Sequence, residues 1–201
     1  MTTPRNATAD SRPFFVLAAA GFLGGWILLR PIHGSFTPGL WWTLAHTVWL
    51  IGFVAFVPVG LALRRAAGPG RVGDLAAGVV VLSALANIVQ MSLDLVAGAG
   101  AADAVDALRD IDWVDAVVYT VGAPLIFPAV AVLAARRAVS VPAASAVGIG
   151  VVMLAVGLLA LGRNHPVTPA GMLVFGVGLV ALTVRRQISG AHHVRSTSVA
   201  A

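Results

Sequence analysis

The chain of 201 residues contains no cysteine. Disulfides, thiolate metal sites and cysteine nucleophiles are therefore excluded, and cysteine usage gives no information about the redox compartment. Lysine and glutamate are absent too, since all 13 basic residues are arginine and all 8 acidic residues are aspartate. We interpret this bias, together with the abundance of alanine, glycine and valine, as the composition of a GC-rich bacterial genome.

Charge is also scarce along the chain. Charged residues make up 10% and hydrophobic residues 59%, and the mean hydropathy is +0.93. Soluble globular domains contain roughly 25% charged residues, so this composition predicts an integral membrane protein with the lipid bilayer as its partner. The arginines lie singly or in pairs at the ends of apolar runs rather than along one exposed face, so the net charge of +5 does not indicate a nucleic-acid partner.

The apolar runs predict an all-α, polytopic helix bundle with six transmembrane helices in one domain, residues 13–186. A cytoplasmic N-terminal lead, residues 1–12, precedes this domain, and a disordered cytoplasmic tail, residues 187–201, follows it. The predicted spans are 13–29, 38–63, 74–97, 113–135, 141–161 and 169–184. Between the third and fourth spans, the acidic residues 98–115 predict a short amphipathic helix on the membrane surface.

Local signals predict where two of these helices begin and how the first one packs. Thr37 followed by Pro38 is a typical helix start, and Asp74 is the predicted N-cap of the third span. Gly21 and Gly25 form a GxxxG pair, for which we favour close packing inside the monomer over a dimerisation face.

The arginines also predict the orientation of the chain in the membrane. Six spans place both termini on one side, and that side carries ten of the thirteen arginines. The positive-inside rule therefore predicts that both termini are cytoplasmic. The expected location is the bacterial plasma (inner) membrane, as a multi-pass protein.

The third predicted span carries a polar stripe on an otherwise apolar helix. Ser83, Asn87, Gln90 and Asp94 are separated by steps of 4, 3 and 4 residues, so their side chains fall within an arc of roughly 60°. An aspartate at bilayer depth costs roughly 2.5 to 3.5 kcal/mol on insertion scales. We therefore expect this face to point at other helices or at water rather than at lipid.

Most reactive side chains fall in the predicted outer half of the membrane, which suggests an outward-facing polar cavity between spans two, three and four. His46 and Asp94 are its predicted titratable pair, because intramembrane histidine and aspartate often mark proton or substrate routes. Asn87, Gln90 and Tyr119 are the predicted hydrogen-bonding walls, and Asp115 shares a helix face with Tyr119. The ligand class would be a proton, a small cation or a metabolite, bound for transport or sensing.

The alternative is a non-catalytic structural or accessory membrane subunit. In that case Asp94 pairs with His46, Arg30 or Arg163, while Asn87 and Gln90 bond across helices to hold the bundle together. A homo-oligomer or another membrane partner is compatible with either function.

The sequence leaves cofactors unknown. His33, His46 and His165 could converge with carboxylates on a metal, but no HxxxH or HxxE spacing supports such a site, and haem b would need a second axial ligand from a loop. The chain has no nucleophile elbow, phosphate loop, zincin motif or dinucleotide fingerprint. We therefore favour a protein that is not an enzyme.

Overall fold

The computed structural model describes residues 11–29, 39–136, 141–161 and 165–183. The structure is 89% helical, and these ranges contain no strand, so the predicted all-α class is confirmed. Its helices are α1 (Arg12–Ile27), α2 (Leu40–Ala66), α3 (Arg71–Val96), α4 (Ala102–Arg109), α5 (Asp112–Val114), α6 (Ile126–Arg136), α7 (Val141–Val156) and α8 (Val167–Ala181). Three π-helical turns connect or extend them, at Ala97–Ala101, Asp115–Thr120 and Gly157–Leu161.

Three helical stretches in the described ranges are long and apolar enough to cross a membrane. They are Leu40–Ala66, Arg71–Arg109, which joins α3 to α4, and Val141–Leu161. Helices α1, α6 and α8 are apolar but shorter, with 16, 11 and 15 residues. The length and composition of the three long stretches support the prediction of a membrane protein.

Six of the helices pack in a closed ring. Helix α1 contacts α2, α2 contacts α3, α3 contacts α6, α6 contacts α7, α7 contacts α8, and α8 returns to α1. Five phenylalanine rings from four of these helices meet inside the ring: Phe22, Phe53, Phe56, Phe127 and Phe175. This aromatic cluster joins the first and last helices to the middle of the chain.

Helices α1 and α2 approach each other closely at their glycines. A β carbon added at Gly21 would lie 2.4 Å from the Cα of Gly52, and one added at Gly25 would lie 2.6 Å from the ring of Trp49. Both glycines of the GxxxG pair therefore pack within the chain, as predicted. The Trp49 indole also donates a hydrogen bond of 3.0 Å to the Phe22 carbonyl.

The predicted helix starts need correction. Helix α3 begins at Arg71, so Asp74 lies in its first turn and is not the N-cap. The Asp74 carboxylate pairs instead with the Arg64 guanidinium, with an Nη2–Oδ1 distance of 2.5 Å. Helix α8 begins at Val167, two residues before the predicted start. The Thr37–Pro38 start lies outside the described residues.

The fourth predicted span is not one continuous helix. Residues 113–135 are divided by a turn at 121–125, between the π-helical turn that ends at Thr120 and the start of α6. Pro124 lies in this turn and Pro128 in the first turn of α6, and neither has a backbone N–H to donate to a regular helical ladder. The break leaves the Ala123 carbonyl to be satisfied by another element.

The acidic segment contains a short helix, and its predicted position on the membrane surface stays a prediction. Helix α4 covers Ala102–Arg109, with Val105 buried, while Leu108 and Ile111 are 40% and 41% exposed. Several charged and candidate site residues lie outside the described ranges. They are Arg30, His33, Arg163, most of the N-terminal lead and the whole C-terminal tail.

Candidate functional site

His46 and Asp94 meet at one end of the bundle. Helices α2 and α3 follow each other through a tight turn, so the beginning of α2 lies beside the end of α3. The His46 Nε2 atom is 3.5 Å from Asp94 Oδ2, and the two side chains are 4% and 16% exposed. We call this region, formed by the start of α2, the end of α3, α4 and the turn Asp115–Thr120, the acidic end.

The second ring nitrogen of His46 determines which chemistry the pair can have. His46 Nδ1 lies 2.8 Å from the Trp42 carbonyl oxygen. A carbonyl can only accept, so Nδ1 carries the hydrogen, and a neutral ring then has a bare Nε2. That lone pair would face the lone pairs of a charged Asp94. The contact becomes attractive when a proton sits on Nε2 or on the carboxyl group.

Trp42 anchors both members of the pair. Its indole Nε1 donates a 3.0 Å hydrogen bond to the Asp94 carbonyl, and its ring stacks on His46 with centroids 4.0 Å apart. The ring has room to lie there because a β carbon at Gly98 would come within 2.8 Å of it. Sequence analysis missed this role, although the spacing of four residues between Trp42 and His46 places them on one helix face.

The part of the polar stripe nearer the start of α3 forms a hydrogen bond to another element. Asn87 is buried, and its Nδ2 atom donates to the Ser83 carbonyl at 2.8 Å and to the Ala123 carbonyl at 2.9 Å. Ala123 lies in the break before α6, so Asn87 satisfies a carbonyl that the broken helix leaves open. Asn87 therefore links α3 to this break. The prediction that the stripe avoids lipid is confirmed for Ser83 and Asn87, which are 3% and 6% exposed.

Tyr119 lies close to the pair and offers an unused polar group. Its hydroxyl is buried and has no hydrogen-bond partner within the described ranges. The Arg109 guanidinium carbon lies 4.6 Å from the centroid of the Tyr119 ring, a cation–π contact. Asp94, Asp106 and Asp115 all act on Tyr119 electrostatically. Tyr119 thus lies within electrostatic range of both Asp94 and the charges of α4.

The two remaining predicted site residues lie less centrally. Gln90 is half-buried and forms no hydrogen bond with any residue that the structure describes. Asp115 accepts a hydrogen bond of 2.7 Å from Thr120 Oγ1, within the same π-helical turn. The acidic end thus gathers His46, Asp94 and Tyr119, whereas Asn87 and Asp115 are held by backbone or local partners.

The described residues contain no candidate metal site. No group of three histidine or aspartate side chains suited to a metal ion occurs in the described part of the chain. His165 is exposed, and its Nδ1 accepts a 3.3 Å hydrogen bond from the Val167 backbone N–H. His33 lies outside the described residues, so the predicted convergence of three histidines stays untested.

A cavity of 370 Å³ lies away from the polar residues, between α1 and α2. Apolar side chains line it, among them Phe14, Leu17, Ile51, Val54 and Pro58. It is thus a groove suited to acyl chains rather than to a polar ligand. The polar cavity expected between spans two, three and four stays a prediction.

Comparison of the chain with models of protein families, with curated proteins and with solved structures finds no match. The function therefore has to be argued from the site itself, because a helical bundle can carry many functions. The acidic end offers a fixed imidazole against a carboxylate, and a buried hydroxyl lies within electrostatic range of that carboxylate.

Proposed function

We propose that the His46–Asp94 pair is a reversible binding site for a proton or a small cation, used in transport or sensing. The observation that carries the proposal is the 2.8 Å contact of His46 Nδ1 with the Trp42 carbonyl, which turns the other ring nitrogen toward Asp94. When the shared proton leaves, a carboxylate remains inside the bundle with no cation bound to it in the described residues. A small cation could then take the place of the proton.

The proposal includes the orientation of the chain. We propose six membrane crossings with both termini in the cytoplasm of a bacterium, in its plasma membrane. The opposite end of the bundle carries Arg64, Arg65, Arg71 and Arg136, whereas aspartates cluster at the acidic end. The positive-inside rule then supports an acidic end that faces outward. The proton or cation would reach His46 and Asp94 from outside the cell.

An open channel is a poor fit to the interior of the bundle. Beyond Asn87 toward the arginine-rich end, the buried side chains are apolar apart from Ser83 and Thr183, and they include Phe56, Val59 and Leu63. A channel needs polar groups or wet vestibules along its length. The arrangement supports a binding site open to one side, in a sensor or in a transporter that changes conformation.

The second candidate function is a structural or accessory membrane subunit. The bonds of Asn87 to Ala123 and of the Trp42 indole to Asp94 join separate elements, as polar groups in membrane bundles commonly do. On this alternative, His46 and Asp94 also serve to hold α2 against α3. Their substitution would then lower stability at every pH.

The test compares the thermal unfolding of the purified wild type and Asp94→Asn between about pH 5 and 8. If His46 and Asp94 share a proton that the unfolded chain releases as pH rises, the stability of the wild type should fall toward pH 8. The asparagine amide can donate directly to the bare Nε2 of a neutral His46. Asp94→Asn should therefore fold and lose this pH dependence.

Asp115→Asn is the matched control, because it removes a carboxylate from the same end of the bundle. That carboxylate is bound by Thr120 rather than by His46. It should keep the pH dependence of the wild type. The charges of Asp106 and Arg109 near Tyr119 are unchanged in this variant. An equal loss of stability in Asp94→Asn at all pH values would support the structural subunit instead.

A further inference from the structure

The end of the bundle opposite His46 has an unbalanced positive charge. Arg12 begins α1, Arg64 and Arg65 end α2, Arg71 begins α3 and Arg136 ends α6, whereas Asp74 is the one acidic side chain that the described ranges place there. We call this region the basic end. Five guanidinium groups against one carboxylate leave four positive charges without a partner of opposite sign among the described residues.

Arg64 and Asp74 hold the turn between α2 and α3 in place. The Arg64 guanidinium binds Asp74 Oδ1 through Nη2 at 2.5 Å and donates through Nη1 to the Gly68 carbonyl at 2.6 Å. Gly70, at the start of α3, has a φ of +141°, a conformation that side-chain-bearing residues rarely adopt. The turn is thus fixed by side-chain bonds and by a glycine that is required there.

Arg136 reaches this turn from another helix. Its Nη2 atom lies 3.1 Å from the position that a β carbon would take at Gly70, and its Nε lies 3.7 Å from the same position at Gly73. The Arg64 Nε is 3.6 Å from that Gly73 position, so the two guanidinium groups are close neighbours. Arg136 makes no ion pair or hydrogen bond within the described ranges, so its charge is free to bind an anion.

We infer that the basic end binds the phosphate of an anionic phospholipid, with Arg136 as its main contact and Arg71 beside it. A guanidinium fork matches phosphate oxygens, and basic pockets between membrane helices are known to hold anionic headgroups. The side chains that follow Arg71 along α3 suit a lipid rather than free phosphate. Among them, Leu75 lies one turn after Arg71 on the same face of α3 and is 70% exposed, so an acyl chain can cover it below a headgroup held by Arg71.

The experiment titrates the full-length protein in detergent micelles with phosphatidylglycerol or phosphatidylcholine and follows the thermal unfolding midpoint. Phosphatidylglycerol should stabilise the wild type at lower concentration than phosphatidylcholine. Arg136→Gln should weaken the phosphatidylglycerol effect by about tenfold, the loss expected for one charge-assisted hydrogen bond. Each variant is compared with itself in the two lipids, so a general loss of stability does not obscure the result.

Arg65→Gln is the matched control, because it removes the same charge from the same end. The Arg65 Nε already donates to the Leu61 carbonyl of its own helix. It should weaken the phosphatidylglycerol effect by no more than about twofold. Equal effects of the two lipids, or equal losses in Arg136→Gln and Arg65→Gln, would overturn the inference. If inorganic phosphate reproduces the stabilisation, the site takes a free anion and the assignment to a lipid is wrong.

Discussion

Gly21→Ala is expected to destabilise the bundle by about 1 to 3 kcal/mol, the usual cost of overpacking, or to prevent folding. The added β carbon would lie 2.4 Å from the Cα of Gly52 and 2.9 Å from the Val48 carbonyl oxygen. Both neighbours are backbone atoms, which cannot move aside by a change of rotamer. Helices α1 and α2 would have to separate along their line of contact, and thermal unfolding of the purified protein measures the loss.

Gly148→Ala provides the control for this substitution. It makes the same change in an apolar helix, α7, at a position where a β carbon would meet nothing within 4 Å. Alanine has the higher helix propensity, so this variant should be neutral or more stable by up to about 1 kcal/mol. Similar unfolding midpoints for the two variants would contradict the close packing of Gly21 against Gly52. If Gly21→Ala instead dissociates an oligomer without destabilising the protomer, the GxxxG pair is a dimerisation face.

Asn87→Leu is expected to cost about 1 to 3 kcal/mol, the penalty for leaving a buried polar group without a partner. Leucine fills a similar volume but cannot donate to the Ala123 carbonyl, which lies in the break before α6. The contact between α3 and this break should loosen, and the unfolding midpoint of the purified protein should fall.

Ser92→Ala is the control for Asn87→Leu, because Ser92 is exposed and its hydroxyl donates to the Ile88 carbonyl of its own helix at 2.8 Å. Its effect should stay within about 0.5 kcal/mol. The proposed role of Asn87 would be wrong if Asn87→Leu were as stable as Ser92→Ala. Loss of proton or cation binding without loss of stability would return Asn87 to the wall of a ligand cavity.

These two predictions separate the parts of the polar stripe. Asn87 has both amide hydrogens bound by carbonyls, so it has no donor left for a ligand. Asp94 has a titratable partner and partial exposure at the mouth of the bundle. The same helix face thus combines a structural bond deep in the bundle with a proposed binding site nearer the surface.

The sequence by itself determined the class of the protein and the side of α3 that is buried. Low charge and long apolar runs predict a helical membrane protein, because backbone N–H and C=O groups inside the bilayer must form hydrogen bonds with one another. The inward direction of the stripe follows from the cost of placing Asp94 and Asn87 in lipid. Even the contact of His46 with Asp94 follows from counting residues along two neighbouring antiparallel helices at a fixed rise.

Only the tertiary structure decided which partners these residues have. The break at Ala123 and its bond to Asn87, the position of Trp42 over His46, and the reach of Arg136 toward Gly70 all join elements distant along the chain. Helical periodicity records which face of a helix is apolar, but it carries no information about the neighbour that covers that face. Those pairings depend on how whole helices fit together, as at Gly21 and Gly52, where the absence of two side chains brings α1 and α2 into contact.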